Sequence, residues 1–340
     1  MNNYKLNKTP LRTSNNYKIN DINLDLEIPE PSDFNKYIID NLEDTAYNHE
    51  IKDNFDSKIG LSFSKYLELN IDIHDNKYVE KPIIINKIIE SCFVSTININ
   101  LGNNTKADFI IKFTGDIPYA LNSTKIHVIG NSNSNSTISI LNLINENSQS
   151  FLSYENELNN SSKVTYNIFD LKGNVRLSNL ETNLVGYSST MDINTLYMGK
   201  NKDLIDVNYL INHLGKNTNS NINVVGSLND FSNKHFKGTI DFKEGSSGSV
   251  GKEYEDVILL SDNAKTISLP MLLCHEEDVD GSHGVSTGKV DINKLFYIMT
   301  RGLSYEDALK LIINGKFNSI INKIPDEVTK QFITDEINKL

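Results

Sequence analysis

The 340-residue chain reads as a mainly β protein with a helical C-terminal end, and three observations carry that reading. Between about residues 81 and 260, short apolar segments recur with polar punctuation and no long helical pattern between them. Several alternate with period two: Val164, Tyr166 and Ile168 share one face, as do Ile205, Val207, Tyr209 and Ile211, and Ile222 and Val224. A strand with that period buries one side and wets the other. After Gly288 the apolar spacing switches to helical, which marks a change of architecture.

Residues 1–80 look mixed. Ser32, after Pro29-Glu30-Pro31, is placed to cap a short helix through Ile39. FSKYLELNIDI then shifts from helical towards strand character. In the strand-rich body the corners are Asn, Ser and Gly, as in NSNSNS at 131–136 and NTNSN at 217–221. Asn tolerates left-handed backbone geometry and bonds its own backbone, so it suits tight corners; coding bias in an AT-rich genome would supply the same letters. Many short strands with Asn corners fit a parallel β-helix or a β-sandwich, and the irregular spacing leaves both open. Beyond Gly288, Leu295, Phe296, Ile298 and Met299 form a helical stripe ending at Arg301-Gly302, where glycine accepts the left-handed cap. Ser304 and Asp307 form a short-armed capping box for a second helix, with Ala308, Leu311 and Ile312 as its apolar stripe. A last helix starts near Pro325 and carries Val328, Phe332 and Ile333.

Bulk properties narrow the function. A net charge of -11 argues against nucleic acid. Two cysteines make no disulfide framework and fit a reducing compartment. The first twenty residues lack an apolar core of signal-peptide length, and no apolar run is long enough to span a bilayer, so a cytoplasmic protein is expected.

The chemistry concentrates at the strand-to-helix junction. Cys274, His275, Glu276, Glu277, Asp278 and His283 put soft, borderline and hard metal ligands in one segment. An imidazole at His283 could bind a metal ion through one nitrogen; the competing account is a turn cap before Gly284. Cys274 is the only thiol nearby, and its thiolate would be a soft metal ligand, although an isolated strand cysteine is usually a small buried hydrophobe. If LPMLLCH is a strand, Cys274 and His275 face opposite sides, and Cys274 is the one backed here. Glu277 is the carboxylate retained as a hard ligand; Glu276 and Asp278 fit solvated loop charge. Cys92 belongs in the core, His127 and His235 on strand surfaces, and Arg301-Gly302 at a helix end.

These segments resemble the SufB/SufD family, scaffold components of the SUF iron–sulfur cluster assembly machinery. LLSDNAKTISLP is similar to that family's LLLS-x-x-A-x-x-x-x-P segment, and EDVDGSHGVSTGKVD to its D-D-V-x-x-x-H-G-A-x-x-G-x-(I/V)-D signature. LFYIMTRGLSYEDALKLIINGKF resembles LFYL-x-S-R-G-(I/L)-x-x-x-x-A-x-x-(L/M)-(I/L)-x-x-x-F. INHLGKNTNSNINVVGSLNDFSNKHFKGTIDF resembles the family's final strands, with Gly238 and Ile240 in place and His213 on a family histidine. The resemblance implies a right-handed parallel β-helix over residues 81–288, after a mixed segment at 1–80 and before a helical cap at 289–340. It further implies a SufC-type ABC ATPase docked on the C-terminal helices, and a homodimer or a pairing with a SufB/SufD-like paralogue through the end of the β-helix. A nascent iron–sulfur cluster or iron would be the cargo. The chain has no G-x-x-x-x-G-K-(S/T) loop, so ATP hydrolysis would belong to the partner.

The chain also departs from the SufB pattern. Aligned through Pro270, the sulfur-accepting cysteine of SufB proteins falls on Ala264, the glutamate after the signature histidine on Gly284, and an acidic position on Leu273. The first two differences look SufD-like, or like short single-subunit scaffolds. One chain offers fewer thiolates than the roughly four ligands a cluster takes, so His283 and Cys274 are expected to contribute to a site shared between subunits, with Glu277 a further metal ligand. The competing functions are a structural subunit without metal and a β-helix carbohydrate-active enzyme, for which no compact catalytic constellation is visible.

Overall fold

The structure is a computed structural model and describes residues 2–10, 19–42, 45–324 and 326–339. Strands β1 (Asn2–Leu6) and β2 (Ile22–Leu26) form an antiparallel pair. There follow β3 (Ile38–Asp40), β4 (Ala46–Asp56), β5 (Ser62–Ile73), β6 (Ile83–Ile88), β7 (Cys92–Leu101), β8 (Phe109–Thr114), β9 (Leu121–Gly130) and β10 (Asn135–Leu143). The next strands are β11 (Gln149–Leu158), β12 (Lys163–Asp170), β13 (Val175–Leu184), β14 (Thr190–Gly199) and β15 (Leu204–His213). The series closes with β16 (Asn219–Leu228), β17 (Asn233–Phe242), β18 (Ser249–Leu259), β19 (Lys265–Cys274) and β20 (Val279–Lys289). Three helices complete the chain: α1 (Ile292–Met299), α2 (Tyr305–Ile321) and α3 (Glu327–Lys339).

Odd and even strands segregate into two nine-stranded sheets, one ending in β19 and the other in β20. From β5 and β6 onward every pairing is parallel, so the chain winds as a flattened solenoid of about eight coils. That decides between the two architectures the strand pattern allowed. The parallel stacking reaches back to β5, and β3 and β4 join antiparallel at that end.

The alternation read from the sequence is the solenoid's inside-outside alternation. Val164, Tyr166, Ile168, Ile205, Val207, Tyr209, Ile211, Ile222 and Val224 all lie in one continuous interior core. The Asn corners also have a geometric cause. Asn76, Asn104, Asn133, Ser161, Ser188 and Asn217 all take positive φ at one corner, and Gly248 continues the column. Each donates its backbone N–H to a carbonyl of the coil above, from Asn76 to Asn103 through Gly248 to Asp278. Side chains reinforce the column, with Asn104 Nδ2 donating to Asn76 Oδ1 at 3.1 Å and Asn133 Nδ2 to Asn104 Oδ1 at 3.0 Å. A residue that visits the left-handed region at low cost is needed once per coil, and Asn is the best non-glycine choice.

Both outer faces are covered in part. The N-terminal hairpin packs Leu6, Ile22 and Leu26 against Cys92, Val94, Leu121, Phe151 and Leu177 on the odd sheet. On the even sheet, Ile313, Phe317, Ile320, Ile321, Ile333 and Ile337 of α2 and α3 bury against Phe169, Leu196, Val225 and Ile258. Lys316 ties α2 to Asp256 at 2.7 Å, and Lys172 ties the body to Glu336 of α3 at 3.0 Å.

Three local expectations change. No helix follows Ser32: its N–H and that of Asp33 donate to Cys92 O, Asp33 makes a buried 2.8 Å ion pair with Lys87, and Ile38–Asp40 is a strand. Among the described residues 1–80 hold no helix, because sheet pairing takes the donors a helix would use. In α2 the buried stripe is Ala308, Ile313, Phe317, Ile320 and Ile321, with Leu311 facing solvent. The Ser304 box is present, Asp307 N donating to Ser304 Oγ at 3.1 Å, and Gly302 has φ +96. Pro325 lies outside the described residues; the last helix runs from Glu327, with Ile333 buried.

Candidate functional site

The two sheets end on β19 and β20, and no further strand covers either one among the described residues. Residues whose counterparts one coil below are buried are therefore open to solvent. β20 is exposed or half-buried throughout, whereas its partner β18 alternates between buried and accessible.

Register fixes which side chains face the interior. Leu272 of β19 and Val279 of β20 pack on the interior core, and a side chain at Gly281 would meet Phe242 and Leu272. With period two, Cys274 shares the inward face with Leu272, and His283 shares it with Val279 and Gly281. His275 lies on the other face, its Nε2 3.7 Å from Asp241 Oδ1. Cys274 is exposed at the corner, which sets aside the buried-hydrophobe account of this thiol. His283 is exposed and stands four residues along β20, about 13 Å from the corner at the rise of a strand.

The acidic loop divides by role. Glu276 Oε2 accepts from Gly245 N at 3.1 Å, and Asp278 Oδ2 accepts from Ser247 Oγ at 2.8 Å. Both hold the corner of the coil below. Glu277 is exposed, and its backbone N–H donates to Glu276 Oε1 at 3.0 Å. Among the described residues no group of three His, Cys, Asp or Glu side chains is gathered as a metal cage.

Beneath His283 lies a polar interior. Glu253 pairs with His283 in the β18–β20 register, and Glu255 follows on the same inward face. Lys234 of β17 is fully buried and donates to Glu255 Oε1 and, at 3.3 Å, to Ser268 Oγ. Ser268 Oγ donates to Glu255 Oε2. Burial pulls the Lys234 ammonium below its usual range, against the pull of Glu255. Burial, with Glu255 adding to it, pushes the Glu253 carboxyl up to about 8. A sequence signal for this cluster existed: Lys234, Glu253 and Glu255 sit at inward parity among apolar residues, where charges belong only when paired or functional.

Other titratable residues have structural roles. His213 is buried, with Nδ1 2.7 Å from Thr218 Oγ1 and Nε2 2.8 Å from Ser220 Oγ, and burial holds its pKa down to about 4. Cys92 is buried and donates its thiol to Pro29 O at 3.3 Å. His235 Nδ1 is 3.3 Å from Asp206 Oδ2. Ala264, where the resemblance would put a cysteine, is buried at the edge of the core.

Comparison with known proteins accounts for this architecture. The family model for the SufBD core domain of SUF-system FeS cluster assembly matches residues 84–316. The chain belongs to the SufBD family of iron–sulfur cluster assembly proteins. It is 29% identical over 178 residues to the iron–sulfur cluster assembly protein SufD of Bacillus subtilis, covering 52% of this chain and 41% of that protein. It is 28% identical over 171 residues to SufD of Escherichia coli, covering 50% and 40%. A SufBD family protein, ycf24 of Antithamnion, is 27% identical over 146 residues, covering 42% and 48%. These alignments span less than half of each relative's length. No described helix is long and apolar enough to cross a membrane.

Proposed function

We propose that this chain is a non-catalytic scaffold subunit that receives and passes on a nascent iron–sulfur cluster, or its iron, at the open end of the solenoid. The observation that carries this reading is the placement of Cys274 and His283 on the inward face of the last coil, along strand edges free to meet another subunit. An unpaired edge is a template for a second chain, which would bring the remaining ligands. A homodimer and a pairing with a SufB/SufD-like paralogue both satisfy that need. Glu277, exposed beside the corner, is the accessory oxygen ligand. In anaerobic reconstitution, His283→Ala and Cys274→Ala are each expected to lower bound iron and sulfide at least several-fold; wild-type loading in both would overturn the site.

The partner on the helical cap is a SufC-type ABC ATPase. Helix α1 buries only Leu295 and leaves Ile292, Phe296 and Tyr297 exposed, with Tyr305 and Leu311 of α2 beside them in sequence. Exposed aromatic and aliphatic side chains on a helix the body does not need fit a docking surface. Deleting residues 293–340 would uncover the sheet face under Phe317, so Phe296→Asp is the cleaner test. It should abolish co-purification with the ATPase while the melting temperature holds; retained binding would sink the assignment.

The buried Ala264 supports a second reading, a structural subunit that stabilises the ATPase complex without touching iron. Under that reading the chain would hold the ATPase and carry no iron above background.

A further inference from the structure

We propose that Glu253 is the inner ligand for a divalent transition-metal cation entering at the open end of the solenoid, with the His283 imidazole as the outer ligand. The inference rests on the reading of His283 above and adds to it a carboxylate from the coil below.

Glu253 is 3% exposed, and neither of its carboxylate oxygens has a hydrogen-bond partner. A buried carboxylate left so is costly, since burial of a polar group demands compensation. Its neighbours do not compensate it. Lys234 and Ser268 direct their donors to Glu255, as does the Tyr197 hydroxyl at 3.5 Å. With every group ionised, Lys234, Glu253 and Glu255 sum to one uncompensated negative charge. The space is shaped for the carboxylate: a Cβ on Gly238 would fall 2.2 Å from Glu253 Oε1. Any other residue at Gly238 would displace those oxygens.

The missing positive charge is either a proton or a cation. His283 distinguishes them, because the register sets it directly over Glu253 on the same inward face at the solvent-open end. One imidazole and one carboxylate suit ferrous, manganous or zinc ions, whereas calcium wants six or more oxygens. Two protein ligands leave coordination positions free, which suits a cation that is loaded and released.

The test is anaerobic titration of the full chain with Fe²⁺ alone, in competition with a chromogenic chelator. The wild type is expected to bind one Fe²⁺, and Glu253→Gln, which has the shape of the protonated acid without its charge, to weaken binding at least tenfold. His283→Ala should weaken it comparably, and the melting temperature of Glu253→Gln should stay level or rise. Wild-type affinity in Glu253→Gln means that the partner is a proton and overturns the proposal, as does a wild type that binds no Fe²⁺. Should Glu253→Gln fold poorly, Glu253→Asp decides: unchanged affinity overturns the assignment. Co-purification of the ATPase and sulfide loading at Cys274 are separate readouts, so loss of the scaffold reading is distinguishable from loss of this one.

Discussion

The coil that carries Ile193 and the coil that carries His283 are built on the same plan, and they differ in what lies above them. Ile193 sits between Tyr166 below and Ile222 above, all three fully buried. His283 and Val285 occupy the same inward face over Glu253 and Glu255 with no described strand stacked on them, and Val285 is 41% exposed. In the middle of the solenoid, inward side chains are core. At the end, they are surface that still points into a polar interior. On the proposed site assignment, stability and chemistry separate along one repeating structure, as expected where each coil contacts only its neighbours.

The comparison is broken most directly by truncating matched positions. Ile193→Ala should cost about 2–5 kcal/mol, since an interior cavity cannot collapse between two coils, whereas Val285→Ala should cost about 0.5 kcal/mol or less. Denaturant unfolding of the two variants measures both, and equal losses would show that the last coil is not open in solution.

Acid stability sharpens the same contrast. The His213 imidazole is held neutral, with its pKa lowered from 6.5 to about 4, by burial at the start of the terminal coils. The unfolded chain then binds more protons between those values, so stability is intact above pH 6.5 and declines as the pH falls towards 4. The loss amounts to something on the order of 2 kcal/mol by about pH 5. Wild type and His213→Gln share every other titrating group, so the difference between their melting curves over that range isolates the imidazole.

The smallest expected effect lies at the corners. Asn133 holds φ 58 in the middle of the stacked column. Asn133→Ala should lose about 1 kcal/mol, because alanine lacks the side-chain amide that makes the left-handed region accessible to Asn, and Asn133→Gly should lose less. Equal melting temperatures for the two would mean that composition, not geometry, put Asn there.

Much of this was legible in the residues. Tyr166, Tyr209 and Val224 gave away the buried faces, Ser304 and Gly302 the helix ends, and LLSDNAKTISLP with EDVDGSHGVSTGKVD the family. The Ser32 segment was misread because capping potential is local, while its N–H groups were taken by Cys92 O, far along the chain. Leu311 was placed in the wrong stripe because α2 packs on the sheet along Ile313 and Phe317, a direction that helical periodicity alone does not choose. Glu276 and Asp278 read as solvated loop charge, whereas the coil below supplies Gly245 and Ser247 as their partners, a contact between coils that consecutive positions do not reveal.

Alternation and corner residues are properties of consecutive positions, so the amino-acid sequence by itself determined that this protein is strand-rich, Asn-cornered and helix-ended. Which coil lies over which is a matter of long-range register, and only the tertiary structure decided it. That register put His283 over Glu253 and left Cys274 at an unpaired edge. It also set Lys234 against Glu255, the nearer of two carboxylates to its ammonium group, so that the other was left without a partner.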